Sequence, residues 1–238
     1  MVAVCLCTAG AIAQTADSLK MINLQEVVVK GVRAQQNAPF AVANFKKSEL
    51  QSFGKTGREL PFLFANTPGV VAWSENGTGI GTSHIRIRGA ADSRINVTLD
   101  GVALNSPEDQ CVFWANMNSY ATLLGNVQIQ RGVGTSTNGD GAFGGTVALT
   151  TKAPSLTPML EVSGAYGSYN TYNVGGNFST GLLLNHLIFE GAYHHTGTDG
   201  FIHGTAGNSG SYYGGLTWLN NDGTLKLSYK NIGNYEKT

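Results

Sequence analysis

Charge is scarce in this chain. Asp, Glu, Lys and Arg make up only 13% of its 238 residues, and 15 basic residues are matched by 15 acidic ones. Without a positive excess nothing is available to neutralise a phosphate backbone, which excludes nucleic acid as a partner. Cysteine is also sparse: Cys5, Cys7 and Cys111 are the whole supply. The first two sit in an N-terminal apolar run, so Cys111 is left alone and no intramolecular disulfide is expected in the mature chain. Catalytic signatures are missing as well. There is no Gly-x-Ser-x-Gly elbow, no His-Glu-x-x-His and no Cys-x-x-Cys, and Gly54-Lys55-Thr56 has Glu49 where a phosphate loop needs its first glycine. His194, His195, Asp199 and His203 come nearest to a metal cluster. Adjacent histidines on a strand face opposite sides, however, and do not converge on one ion. The chain is therefore not expected to be an enzyme, nor to need a cofactor or metal.

What the chain has in quantity is glycine, 32 residues of it, and apolar residues at 42% that mostly alternate with polar ones. The segment Gly139-Asp-Gly-Ala-Phe-Gly-Gly145 fits the glycine spacing of a dinucleotide-binding loop, but the flanks are wrong for that use. A turn-forming run, Gly134-Thr-Ser-Thr-Asn138, precedes it, and the β-branched Thr146-Val-Ala-Leu-Thr-Thr151 follows where a helix would have to start.

Residues 1–13 form an apolar and small-residue run that closes on Ala11-Ile12-Ala13, too short to cross a bilayer as a helix. This is the pattern of an export signal, with the mature chain expected to begin at Gln14. Residues 14–39 read as a flexible arm around one β-prone run, Leu24-Gln-Glu-Val-Val-Val-Lys-Gly31. From residue 40 the texture is globular. Thr56-Gly-Arg-Glu59 has the spacing of a capping box for a short helix over Leu60–Asn66, ended by Thr67-Pro-Gly69. Half-buried strands are predicted at Ile85–Arg88, Ile95–Leu99, Val127–Gln130 and Thr146–Thr150.

Beyond residue 152 the alternation becomes regular over five segments. One face carries Leu160, Val162 and Tyr166, then Tyr172, Val174 and Phe178, then Leu187, Phe189 and Tyr193, then Tyr212, Leu216 and Trp218, then Leu225, Leu227 and Tyr229. The opposite face is polar or tiny. Such strands, joined by turns like Asn221-Asp-Gly223, suit an outer-membrane β-barrel. A soluble sandwich would bury the same apolar face against a second sheet, and alternation alone leaves both open.

Several segments, in order, resemble the TonB-dependent outer-membrane receptors. Leu24–Gly31 resembles a TonB box, Glu59-Leu60 through Thr67-Pro-Gly-Val70 the plug's helix and proline turn, and Ile85-Arg-Ile-Arg-Gly89 and Val97-Thr-Leu-Asp-Gly-Val102 its central strands. Asn126-Val-Gln-Ile-Gln-Arg-Gly132, the glycine segment and Thr146–Lys152 resemble the stretch that ends the plug and enters the barrel. The family often has a carboxylate at Gln128 or Gln130 and a proline at Val133, where this chain departs. The resemblance implies an α+β plug domain at 40–152 followed by antiparallel β-barrel strands at 153–238, an incomplete transmembrane β-barrel. The family barrel has 22 strands and this chain supplies five, so it is expected to be a fragment that does not transport alone.

The implied function is energy-coupled import across the outer membrane of a ferric siderophore or cobalamin-like chelate, with an oligosaccharide as the second reading. A secreted or periplasmic β-rich binding module is the reading of another class. The implied partners are TonB, engaged by strand addition at Glu26, Val27, Val28 and Val29, the small-molecule ligand, and outer-membrane lipid. In the two longest plug loops Trp73, Asn76, Asn105, Gln110, Phe113 and Trp114 are candidate ligand residues, offering flat aromatic faces and amides; packing against the barrel wall is their alternative use. Arg88 and Arg131 match family arginines that face barrel carboxylates.

Overall fold

A computed structural model of the chain describes residues 41–133, 142–220 and 225–237. The segments read as export signal and arm, with Glu26 to Val29, lie outside the described residues, as do Gly139 to Gly141 and the Asn221–Gly223 turn.

The first part runs β1 (Ala41–Lys46), α1 (Lys47–Gly54), α2 (Leu60–Phe64), β2 (Val70–Ser74), β3 (Ser83–Ile87), β4 (Ile95–Leu99), β5 (Val102–Ala103), β6 (Leu124–Arg131) and β7 (Gly145–Thr151), with short 3-10 turns between. Five strands form one mixed sheet in the order β1-β6-β7-β4-β5, where β4 and β7 are parallel and the other pairs antiparallel. The predicted alternation is visible in burial: Ile95 and Val97 of β4, Val127 and Ile129 of β6, and Val147 and Leu149 of β7 are all buried. With Leu50, Leu60, Phe64, Ile85, Ile87 and Trp114 they build one core. The β2–β3 hairpin stands apart from this sheet.

The glycine segment has a packing explanation. A Cβ on Gly144 would lie 2.5 Å from the Ala90 Cβ, and one on Gly145 would lie 2.5 Å from the Gln130 carbonyl oxygen. These glycines let β7 close against β6 and the turn before β4, and no helix follows them to receive a phosphate.

The capping box does not form where the sequence suggested. Thr56 Oγ1 donates back to the Phe53 carbonyl (2.7 Å), and Glu59, at the N-cap of α2, makes no side-chain cap bond. Gly57, at φ +71°, turns the chain so that Glu59 points inward instead. The reciprocal carboxylate belongs to α1, where Glu49 Oε2 accepts from the Lys46 N–H at 2.8 Å.

The second part is an antiparallel meander, β8 (Met159–Tyr166), β9 (Tyr172–Ser179), β10 (Leu187–Thr198), β11 (Gly207–Leu219) and β12 (Lys226–Lys237). Its register puts the predicted apolar face together: Leu160 opposes Phe178, Phe189 opposes Leu216, Tyr193 opposes Tyr212, and Trp218 opposes Leu227. That face is bare. Leu160 and Val162 are about four-fifths exposed, and among the described residues no second sheet covers them, as a sandwich would require. Rings fill the gaps that glycines leave on it. Phe178 lies over Gly191, Tyr172 over Gly197 and Tyr212 over Gly233, each so close that a Cβ would collide with the ring.

The polar face packs on the first part. Asn118 Nδ2 donates to Ser209 Oγ, Thr196 Oγ1 to Asn118 Oδ1 (3.4 Å), and Asn173 Nδ2 to both Thr196 Oγ1 (2.6 Å) and Ser119 Oγ (3.5 Å). His194 Nε2 lies 3.4 Å from Thr122 Oγ1 and 3.2 Å from Asn177 Oδ1. All of these residues are buried. The seam is thus held by side-chain amides and hydroxyls, each worth about 1 kcal/mol net and each replaceable by water if the surfaces part.

Candidate functional site

The β2–β3 hairpin ends in the loop Glu75–Thr82, which reaches the strand ends of the meander. Asn76 shapes this loop. Its Oδ1 accepts from Ser74 Oγ (3.1 Å), the Thr78 N–H (3.0 Å) and Thr78 Oγ1 (3.0 Å), while its Nδ2 donates to the Ile80 carbonyl. The Phe201 N–H donates to the Asn76 carbonyl at 2.9 Å and docks the loop onto the β10–β11 connection. Between them lies a cavity of about 290 Å³, lined by Glu75, Gly81, Thr198, Asn208, Ser209 and Glu236 among others. It joins the two parts of the molecule at one rim. A second depression, of about 450 Å³, lies along the same rim against Tyr166, Tyr172, Asp199 and Lys237.

On the exposed face of the hairpin, Trp73 stacks on His84 with ring centroids 5.2 Å apart, and the Arg86 guanidinium lies 5.7 Å from the Trp73 ring. His84 Nδ1 is 3.2 Å from Asp92 Oδ2, and its Nε2 is 3.7 Å from Glu75 Oε1. Trp73 therefore offers an accessible ring edge held between cationic and imidazole neighbours.

The other sequence candidates divide. Trp114 is 1% exposed, packed edge-on against Phe64 at 5.8 Å, and its burial in the core leaves it no face for a ligand. Asn105 also turns inward: its Oδ1 accepts from the Val97 N–H (2.8 Å), and its Nδ2 donates to the Ile95 (2.9 Å) and Gln110 (2.7 Å) carbonyls. Its side chain is a staple between β4 and the following loop. Gln110, in the left-handed region at φ +61°, and Phe113, 59% exposed, stay on the surface of that loop, away from the cavity lining. Arg131 donates to the Pro68 carbonyl (2.6 Å), and the Arg88 guanidinium lies beside Gly132. Neither forms an ion pair among the described residues.

Sequence reasoning missed the carboxylates. Glu236 lines the cavity from β12, and Glu59 lies behind it, fully buried. Burial holds the Glu59 carboxyl well above the usual carboxylate range; the Gly81 N–H opposes this and the Glu236 charge adds to it. Elsewhere His194 and His195 face opposite sides of β10, one toward Thr122 and the other between Tyr172 and Tyr235. Among the described residues no group of three or more His, Cys, Asp or Glu could hold a metal ion.

Residues 34–146 match the family model described as the TonB-dependent receptor plug domain. No curated protein matches the sequence. Solved structures match its fold over both parts. FpvA of P. aeruginosa, in a structure bound to heterologous pyoverdines, is 20% identical with a TM-score of 0.67 over 84% of this chain and 26% of its own. The ferric yersiniabactin uptake receptor FyuA from Yersinia pestis is 16% identical with a TM-score of 0.62, over 82% of this chain and 31% of its own. The FrpB iron transporter from Neisseria meningitidis gives 15% and 0.63, over 82% and 32%. The chain thus spans about a quarter to a third of the length of these proteins.

Proposed function

We propose that the chain belongs to the TonB-dependent receptors, outer-membrane receptors and transporters rather than enzymes, and that it is the plug and first barrel strands of a receptor for energy-coupled uptake of a metal chelate, a ferric siderophore or cobalamin-like compound. The observation that carries this is the polarity of the meander: its apolar face is bare, as lipid contact requires, while its polar face packs on the plug. A water-soluble module would have to hide the first face and would have no reason to line the second with amides. One structural match is bound to pyoverdines, another is described as a ferric yersiniabactin uptake receptor and the third as an iron transporter, which supports a chelate as the class.

The mechanism that follows is mechanical. Ligand enters at the rim cavity, where loop Glu75–Thr82 of the plug meets the ends of β10, β11 and β12. TonB adds a strand to Glu26–Val29 and pulls, and the polar seam around Asn118, Asn173 and His194 yields because water replaces its hydrogen bonds at small net cost. Arg88 and Arg131 are available to carboxylates on further barrel strands, and of the candidate ligand residues Asn76 lines the cavity while Trp73, on β2, and Gln110 and Phe113 stay exposed for a ligand that reaches beyond it.

The experiment is growth and metal accumulation in the parent organism with and without the receptor gene. Loss of chelated-iron or cobalamin accumulation upholds the reading. Normal accumulation of both, with loss of growth on an oligosaccharide, would overturn the chelate in favour of the second ligand class.

A further inference from the structure

Glu59 has no part in the mechanism above, yet it is the most enclosed acid in the described structure. Its own N–H donates to the Gly79 carbonyl at 2.8 Å, and its carboxyl oxygens are fully enclosed, with no side-chain partner and only the Gly81 N–H beside them. Burial of this kind disfavours the charged carboxylate and favours the protonated acid. The groups around it do not supply a counter-charge. Arg58, its neighbour in the chain, lays its guanidinium over the Phe62 ring at 4.4 Å. Glu236 from β12 adds a second carboxylate, and the loop Glu75–Thr82 adds the Gly81 N–H and, further out, Glu75.

Two of these neighbours, Gly81 and Glu236, are walls of the 290 Å³ cavity. Gly81 sits at φ +87°, and a Cβ on it would lie 3.4 Å from Glu236 Oε1, so the bare backbone lets that carboxylate rest on the cavity wall. Asn76, Asn208 and Ser209 add uncharged polar groups. Lys237 is the one basic residue in the lining, and its side chain starts from the opposite face of the strand to Glu236. The cavity is many times the volume of a single ion, and no three-residue metal cluster is present among the described residues. Its chemistry suits an organic cation.

We propose that this cavity takes an ammonium or similar organic cationic group of the imported ligand, held by Glu236 and Glu75, and that its arrival expels one proton from the buried Glu59 behind it. The proposal rests on the uptake reading for the ligand's entry route. In the step, the Glu59 carboxyl O–H bond breaks, the proton passes to solvent, and the ligand cation balances the carboxylate charge that forms. No oxidant, reductant or covalent change is involved. An anionic group would meet two carboxylates and gain no such compensation, so the site selects for charge at the plug end of the ligand.

The test is calorimetry on the full receptor in detergent at pH 7, with spermidine as the cationic probe and citrate as the anionic one, in two buffers of different protonation enthalpy. The expected result is spermidine binding with release of about one proton, a loss of about tenfold or more in affinity in Glu236→Gln, and binding without proton release in Glu59→Gln. The last variant keeps a neutral side chain of the same shape, so it preserves the fold. Preference for citrate, spermidine binding without proton release, or a Glu236→Gln receptor that binds as well as the parent would overturn the proposal. Because the assay needs no energised membrane, a receptor that accumulates nothing in cells still gives this readout, which separates the two failures.

Discussion

Replacing Asn105 with alanine separates a structural role from a ligand role at a residue whose sequence context suggests the latter. The side chain makes three hydrogen bonds of 2.7 to 2.9 Å to backbone groups, one accepted from the Val97 N–H and two donated to the Ile95 and Gln110 carbonyls. Val97 is buried, so its N–H loses its partner without gaining bulk water. At about 1 kcal/mol for each of the three bonds, and somewhat less where a water can enter, the loss is about 2–3 kcal/mol. That corresponds to roughly 30-fold to 150-fold in a local opening equilibrium. Native-state hydrogen exchange of the full receptor reads this directly: the Val97 amide should exchange faster by that factor, while amides of the meander should not change. Asn105→Asp keeps the acceptor for Val97 and loses both donors, so Val97 should stay protected while the Cys111 end of the loop loosens. An unchanged Val97 amide in Asn105→Ala, together with weakened ligand binding, would refute the staple and return Asn105 to the ligand site.

Further outcomes follow from the same geometry. Trp114→Ala should cost about 3–5 kcal/mol of plug stability by opening a core cavity, whereas Trp73→Ala, at a residue 39% exposed, should leave the thermal midpoint within a few degrees of the parent. Gly145→Ala should prevent correct closure of β6 on β7, because the Gln130 carbonyl is backbone and cannot swing aside, and yield of folded receptor is the readout. Glu59 gives a pH signature. Its folded pKa is raised, so the protonated form is the stable one, and stability should fall as pH climbs from the ordinary carboxylate range toward the raised value. Glu59→Gln should flatten that slope in a pH series of thermal unfolding.

How far the fold could be read in advance depended on the range of the interaction. The β8–β12 faces were legible residue by residue, because period-two alternation is local and survives whatever the sheet packs on. The strands β3, β4, β6 and β7 were legible for the same reason. β1, α1 and β2 were not: Ala41–Lys46 alternates too weakly, Lys47–Gly54 carries a single core leucine, and Val70–Ser74 falls between the proline turn ending at Val70 and the loop read from Trp73 to Ser83. The site was harder still. Glu236 and Glu59 are 177 positions apart and meet only when the plug is seated, and a charged residue near a strand end looks like any solvated one. Thr56 and Glu59 had the right spacing for a cap, but the turn at Gly57 decided otherwise. The flanks of the glycine segment argued against a nucleotide loop, and a strand, β7 from Gly145, follows it where that loop would need a helix.

The most direct test of receptor function lies at Glu26–Val29, in the arm. In the full-length receptor, deletion of these four residues, or Val28→Pro, which removes one backbone donor from the added strand, is compared with the parent for equilibrium ligand binding and for energy-dependent accumulation on whole cells. A TonB-dependent receptor whose arm only transmits force should bind ligand as the parent does and accumulate none of it. Accumulation at the parental rate in either variant would contradict coupling through this segment, and parallel loss of binding would place the segment within the plug fold instead.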